Sequence, residues 1–228
     1  MAKSKIIKDL ANGIVDTQTA LKRTKVLLQE LNSEDILNWV NYEIAGYPND
    51  EVPEYRVIPG QLYGSYFKGS MVSHMKYNYV PLPLGKMKEE DRKIFNSVKI
   101  TEGIEAIRGM TQENQELSAV IPADLYPAIA LANEDPYMII TSAYVKISMP
   151  QILSIFPKVE SKLLDILSCL EKQFGNLDDL DIDVESKSDD ELKQICQKLH
   201  IIIYNDNRVT VGDNNKIKDS KIACSIEE

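Results

Sequence analysis

One apolar stripe, running through residues 149–174, limits the fold of this chain more tightly than any other feature. Ile152, Ile155, Phe156, Val159, Leu163, Ile166, Leu167, Leu170 and Phe174 recur at helical spacing over more than six turns. Ser148 and Gln151 make a capping-box pair at its start, and Gly175 supplies the stop. Pro157 lies inside the pattern, which predicts a kink or a start of regular structure just before it. A long helix that is apolar on one side must be covered along that side, so it serves as the buttress of a layered domain. No stretch of the chain reaches the ~20 apolar residues that a membrane span requires.

The elements that can cover the stripe lie upstream. Ile7, Leu10, Ile14, Leu21, Leu28 and Leu31 trace one face of a helix over 3–31, weakened around Asn12, Gly13 and Asp16. Ser33 starts a second helix with an apolar stripe of Leu37, Val40 and Ile44, and Gly46 and Pro48 end it. So short a connection predicts an antiparallel hairpin. From Val52 the texture changes to β-branched and aromatic runs over 55–58, 61–67 and 77–84, broken by Gly and Pro. Pro81 and Pro83 confine the last of these to an edge. Short helices are expected over 87–97, 101–109 and 123–133, and a strand over 139–147. The predicted fold class is α+β: an N-terminal helical hairpin packed on a small antiparallel or mixed sheet, with the long helix behind it.

Residues 177–190 are acidic and read as a linker that ends the domain spanning 1–176. Beyond it, over 191–228, Ser188 and Glu191 cap a short helix carrying Leu192, Ile195, Cys196 and Leu199, and 201–204 reads as a strand. In the tail Val209, Val211, Ile217, Ile222 and Ile226 are separated by turn-forming residues, the spacing of a short β-solenoid-like segment, with an ordinary hairpin or a frayed tail as the other reading. So few coils need something to stack upon, which predicts a homo-oligomer assembled through those five residues.

Composition excludes several function classes. Apolar residues make up 43% of the chain, which suits a soluble globular protein, and the net charge of −9 argues against broad adsorption to nucleic acid. Cys169, Cys196 and Cys224 are far apart and read as reduced thiols in a cytoplasmic protein without an export signal. His74 and His200 belong to no ligand-spaced set, so no metal and no cofactor is expected. Phosphate loops and nucleophile elbows are absent, and no catalytic residue is assigned. Tyr63, Tyr66, Phe67, Tyr77 and Tyr79 could stack on bases if exposed, but a strand-rich core uses the same residues.

One polar group stands out. Trp39 and Glu43 share a helical face, Tyr47 follows, and Tyr55 and Arg56 enter the first strand just after that helix ends. A buried bidentate pair between Glu43 and Arg56 would fix a helix–sheet junction, and an open one would line a pocket for a phosphate or carboxylate. The block W-x-x-x-E-x-x-G-Y over 39–47, followed closely by P-E-Y-R over 53–56, resembles the AbiTii domain across roughly 4–150. Proteins of that family often end in a G-D-N-N-x-I-x-x-S-x-I coil, which this chain carries from Gly212 to Ile222. The resemblance implies a cytoplasmic role in bacterial abortive infection, as an effector or as an adaptor beside one. Its partner would be a defence-system protein or a phage protein, with neither membrane nor nucleic acid expected. Two other roles stay open, a toxin-like enzyme acting on a nucleotide or nucleic acid and a sensor of a phage component. If the block forms a site, Trp39, Glu43, Tyr47, Tyr55 and Arg56 are its positions.

Overall fold

A computed structural model describes residues 3–49, 51–70, 72–112 and 117–204. The first predicted helix is two: α1, Lys5–Ala11, and α2, Thr17–Gln29, separated by a turn in which Gly13 takes φ 65°. Asp16 caps α2, its carboxylate accepting from the Thr19 amide at 2.7 Å. Helix α3, Glu34–Ala45, forms the antiparallel hairpin with α2 and ends at Gly46 with φ 104°. Its buried face is Ile36, Trp39, Val40 and Glu43, whereas Leu37 and Ile44 are only partly covered. The helix is thus rotated from the stripe read in the sequence, and that rotation carries Glu43 into the interior.

After a single 3₁₀ turn, Glu54–Arg56, strand β1 (Val57–Pro59) leads directly into β2 (Gln61–Lys68) and β3 (Met75–Pro81). Helix α4 (Glu89–Phe95), strand β4 (Ser97–Lys99) and helix α5 (Ile104–Gln112) follow. Strand β5 (Leu117–Val120), helix α6 (Tyr126–Ala132) and strand β6 (Ile139–Ile147) complete the middle of the chain. Strands β1 and β4 form an antiparallel ribbon, and a four-stranded antiparallel sheet has the order β3-β2-β6-β5. Pro81 ends an edge strand, where its missing N–H costs no ladder bond.

The long stripe divides at Ser154 into α7, Met149–Leu153, and α8, Ile155–Phe174. The capping box of Ser148 and Gln151 forms, and Pro157 sits in the first turn of α8, where no intrahelical donor is lost. The stripe of α8 faces α1, α2 and the last helix among the described residues, α9, Asp189–Tyr204. One hydrophobic core therefore lies among helices and takes in Leu27, Trp39, Ile58, Ile104, Leu163, Ile166 and Leu199. A second core lies on one face of the four-stranded sheet, where Leu62, Tyr66, Ala143 and Val145 meet Phe95 and Ile129. The hairpin packs chiefly into the helical layer rather than onto the larger sheet, and Val98 of β4 touches both cores.

The C-terminal expectation is corrected. Residues 201–204 do not form a strand leading into a β-solenoid-like segment; the helix begun at Asp189 continues through Tyr204. Ile201, Ile202 and Ile203 have strand propensity, but Ile195, Leu199 and Ile203 continue one helical face and are buried in the helical core. Lys162 Nζ donates to the Ile202 and Ile203 carbonyls at 3.0 and 2.8 Å, placing a cation at the helix C-terminus. Val209, Val211, Ile217, Ile222 and Ile226 lie outside the described residues. Helix α9 packs on α3 and α8 and shares their core. Within 177–190 the acidic side chains face solvent, while Leu177 and Ile182 are buried in that core.

Glu171 and Asp178 fasten the start of α1, the latter accepting from the Lys5 amide. Glu171 accepts from the Ser4 amide at 2.6 Å, the Ser4 hydroxyl at 2.7 Å and Lys3 Nζ at 2.6 Å, and Ser4 Oγ in turn accepts from the Leu177 amide at 3.0 Å. Partial burial works against the Glu171 charge, but these hydrogen bonds and the Lys3 charge dominate and hold its pKa down at about 2, against an ordinary 4.5. A depressed carboxylate contributes stability above its unfolded pKa that is lost as pH falls through the folded one. Wild type is therefore expected to be more stable than Glu171→Gln at pH 7, with the gap closing from about pH 4.5 toward pH 2. Thermal melts of both chains across that window measure it; a gap that does not change with pH contradicts the assignment.

Candidate functional site

The residues singled out by sequence converge on one buried cluster where α3 meets β1. Glu43 is at its centre. Its Oε2 accepts from Arg56 Nη2 at 2.6 Å, and its Oε1 accepts from Arg56 Nε at 3.1 Å and from the hydroxyls of Tyr47 and Tyr55, each at 2.6 Å. Trp39 Nε1 donates to the Tyr55 hydroxyl at 2.9 Å. The remaining nitrogen of the guanidinium, Nη1, donates to the backbone carbonyls of Ile100 and Glu102 at 3.1 and 2.7 Å. Both side chains of the ion pair are 0% exposed. Tyr47 lays its ring against the guanidinium, 5.0 Å from centroid to Cζ, and Lys162 Nζ lies 5.5 Å from the Tyr55 ring centroid.

Local structure explains the convergence. Glu43 follows Trp39 by one turn, so both point from α3 into the core. Gly46 then turns the chain with a positive φ, pairs with Glu102, and approaches so closely that a Cβ would lie 2.9 Å from the Thr101 carbonyl oxygen. The Tyr47 amide donates to that same carbonyl at 2.7 Å. Arg56 ends the 3₁₀ turn, and its carbonyl accepts from the Ile100 amide at 2.9 Å. Segments 43–47, 54–56 and 100–103 are thereby fastened through a single guanidinium.

The electrostatics favour a charged Arg56. Burial opposes the Arg56 charge, but the adjacent Glu43 carboxylate outweighs it and raises the pKa above the ordinary 12.5. Burial first, and the Glu43 charge second, push the Tyr47 and Tyr55 hydroxyls above their ordinary 10.0, so both stay protonated donors. Among the described residues, every buried side-chain nitrogen and oxygen has a hydrogen-bond partner. The arrangement can hold backbone segments in place; Arg56 keeps little capacity for an external anion. Sequence reasoning missed the Ile100 and Glu102 carbonyls and Lys162, for which no local pattern gives a signal.

Other chemistry is sparse among the described residues. No group of three or more His, Cys, Asp or Glu side chains there could hold a metal ion, and no helix is long and apolar enough to cross a membrane. Cys169 is a free thiol, and burial pushes it above its usual range. An open cleft of about 610 Å³ lies elsewhere, between the β1–β2 junction and the start of α7, lined by Gly60, Gln61, Tyr63, Lys146, Ser148 and Gln151 among others. None of the five cluster residues lines it.

Fold and cluster together define an α+β protein whose helical layer is locked to its strands by a buried acid–arginine centre. The AbiTii family model matches residues 4–195, and the chain belongs to this family, which is associated with abortive infection. No curated protein and no solved structure matches the chain.

Proposed function

We propose that the chain acts in bacterial antiphage defence of the abortive-infection type as an interaction or effector protein that assembles with copies of itself. The family match carries the defence role. The geometry of the family block supports interaction over chemistry at that block, because four hydrogen bonds from Arg56 end on Glu43 and two backbone carbonyls. A toxin-like enzyme working through Glu43 and Arg56 would need the pair in an open pocket, and both side chains are fully buried. Self-assembly is assigned to the residues beyond Tyr204, on the spacing of their apolar side chains alone.

Phage challenge tests the role. Cells expressing the chain together with its genomic neighbours are expected to give fewer plaques than cells without it, and to collapse without phage release at high phage dose. Unchanged plaque counts and bursts overturn it. Assembly is tested by light-scattering mass of the intact chain and of a truncation at Asn207. The intact chain should exceed its 25.8 kDa monomer mass and the truncation should not; monomeric masses for both remove self-assembly from the proposal.

A further inference from the structure

The two faces of the four-stranded sheet differ in kind. Leu62, Tyr66, Ala143 and Val145 point into the second core and are buried. Strand register puts Tyr63 opposite Tyr144, Tyr144 opposite Val120, and Phe67 opposite Ile139 and Lys76 on the other face. Tyr63 and Phe67, four residues apart on β2, share this side by alternation, and extra residues in β3 and β6 opposite Ser65 bring Lys76 and Ile139 to it. Val120 is 78% exposed and Ile139 54%, and the rings of Tyr63, Phe67 and Tyr144 are half-buried. Tyr63 and Tyr144 stack at 6.2 Å with an interplanar angle of 21°. Tyr79, 75% exposed, stands at the β3 edge.

Charge on this sheet runs against the rest of the chain. Strands β2, β3, β5 and β6 contain Lys68, Lys76 and Lys146 and no Asp or Glu, in a protein of net charge −9. Lys146 Nζ lies 5.0 Å from the Tyr63 ring centroid and Lys76 Nζ 5.8 Å from that of Phe67, so each aromatic row has a cation beside it. At the Tyr63–Lys146 end the face opens into the 610 Å³ cleft, where Gln61, Ser148 and Gln151 supply polar groups. Flat rings flanked by lysines on an acid-free sheet make a stacking platform with backbone-neutralising charge.

We infer that this open sheet face binds single-stranded nucleic acid, with bases stacked on Tyr63, Tyr144 and Phe67 and phosphates drawn to Lys76 and Lys146. The net charge of the whole chain pointed away from such a ligand, but binding depends on the local field of the face that meets it. An acidic peptide would satisfy the lysines and leave the aromatic rows without a purpose, so the rings decide between the two. The inference does not depend on self-assembly.

Fluorescence anisotropy of the full chain with labelled oligouridine and oligothymidine of about ten nucleotides tests it. Saturable binding that weakens with added salt is expected for at least one of them, and the comparison distinguishes RNA from DNA. The double substitution Lys76→Glu plus Lys146→Glu should weaken binding at least about tenfold and reduce the log–log salt slope by about 0.7 per lost phosphate contact. Tyr63→Ala should weaken it about tenfold through lost stacking. Lys22→Glu plus Lys158→Glu changes the net charge equally on exposed helical positions and should keep wild-type affinity. Circular dichroism confirms that each variant is folded. No saturable binding up to about 100 μM, the weak limit of non-specific association, overturns the inference. So does equal loss in both charge-reversed variants, and so does full competition by poly-glutamate, which would mark the face as a protein-binding surface.

Discussion

Replacing Arg56 with alanine is expected to lower the unfolding free energy by about 3–5 kcal/mol, because it strands the Glu43 carboxylate in a water-free interior. The change also removes the donors to the Ile100 and Glu102 carbonyls, which tie the 100–103 segment to α3 and β1. Against a typical domain stability of 5–15 kcal/mol, that loss takes a large share. Urea denaturation can be followed by the fluorescence of Trp39, the single tryptophan, which sits in the cluster through its bond to Tyr55. Arg56→Lys keeps the charge but not the planar fork, so it should fall between wild type and alanine and serves if the alanine variant does not fold. A loss below about 1 kcal/mol for alanine, the range of an exposed ion pair, would contradict a sealed pair.

The second large effect is expected at the end of α9. Ile203→Ala should cost about 2–5 kcal/mol, because Ile203 is 1% exposed and fills the core beside Leu199 and Ile195. Ile201, one of the partly exposed residues on the same helix, should cost far less when changed to alanine. The pair of variants separates helix from strand. In a strand residues 201 and 203 share a face and respond alike; in a helix they do not. Similar losses for both, measured by the same denaturation, would restore the strand.

Much of the helical layer was legible because its signal is periodic. The hairpin, the capping box at Ser148 and the stop at Gly175 all depend on residues close in sequence. Trp39 and Glu43 could be paired by their spacing, and Arg56 placed near them by the shortness of the connection. What closes the cluster comes from 100–102, and backbone carbonyls leave no mark in the side-chain sequence. Strands β4 and β5, of three and four residues, are too short for alternation to register. At 201–204 a β-branched run outweighed the four-residue repeat of Ile195, Leu199 and Ile203, and tertiary packing reversed that preference. The aromatic residues of the sheet were visible as a group, but the pairing of Tyr77 with Tyr66 on the core face depends on a register shift in β3 that composition does not reveal.

The way the chain threads between its two cores sets a schedule for its birth. Strands β2 and β3 and later β5, α6 and β6 are excursions from a helical layer whose members run from Ile6 to Ile203. The sheet can close once β6 has left the ribosome. The helical core must wait for α9, nearly the whole chain later, before Trp39 and its neighbours are fully covered. Such high contact order slows closure and leaves a nascent apolar surface exposed for most of synthesis. A chain stopped before α9 would therefore lack the helix that supplies Ile195, Leu199 and Ile203 to the helical core.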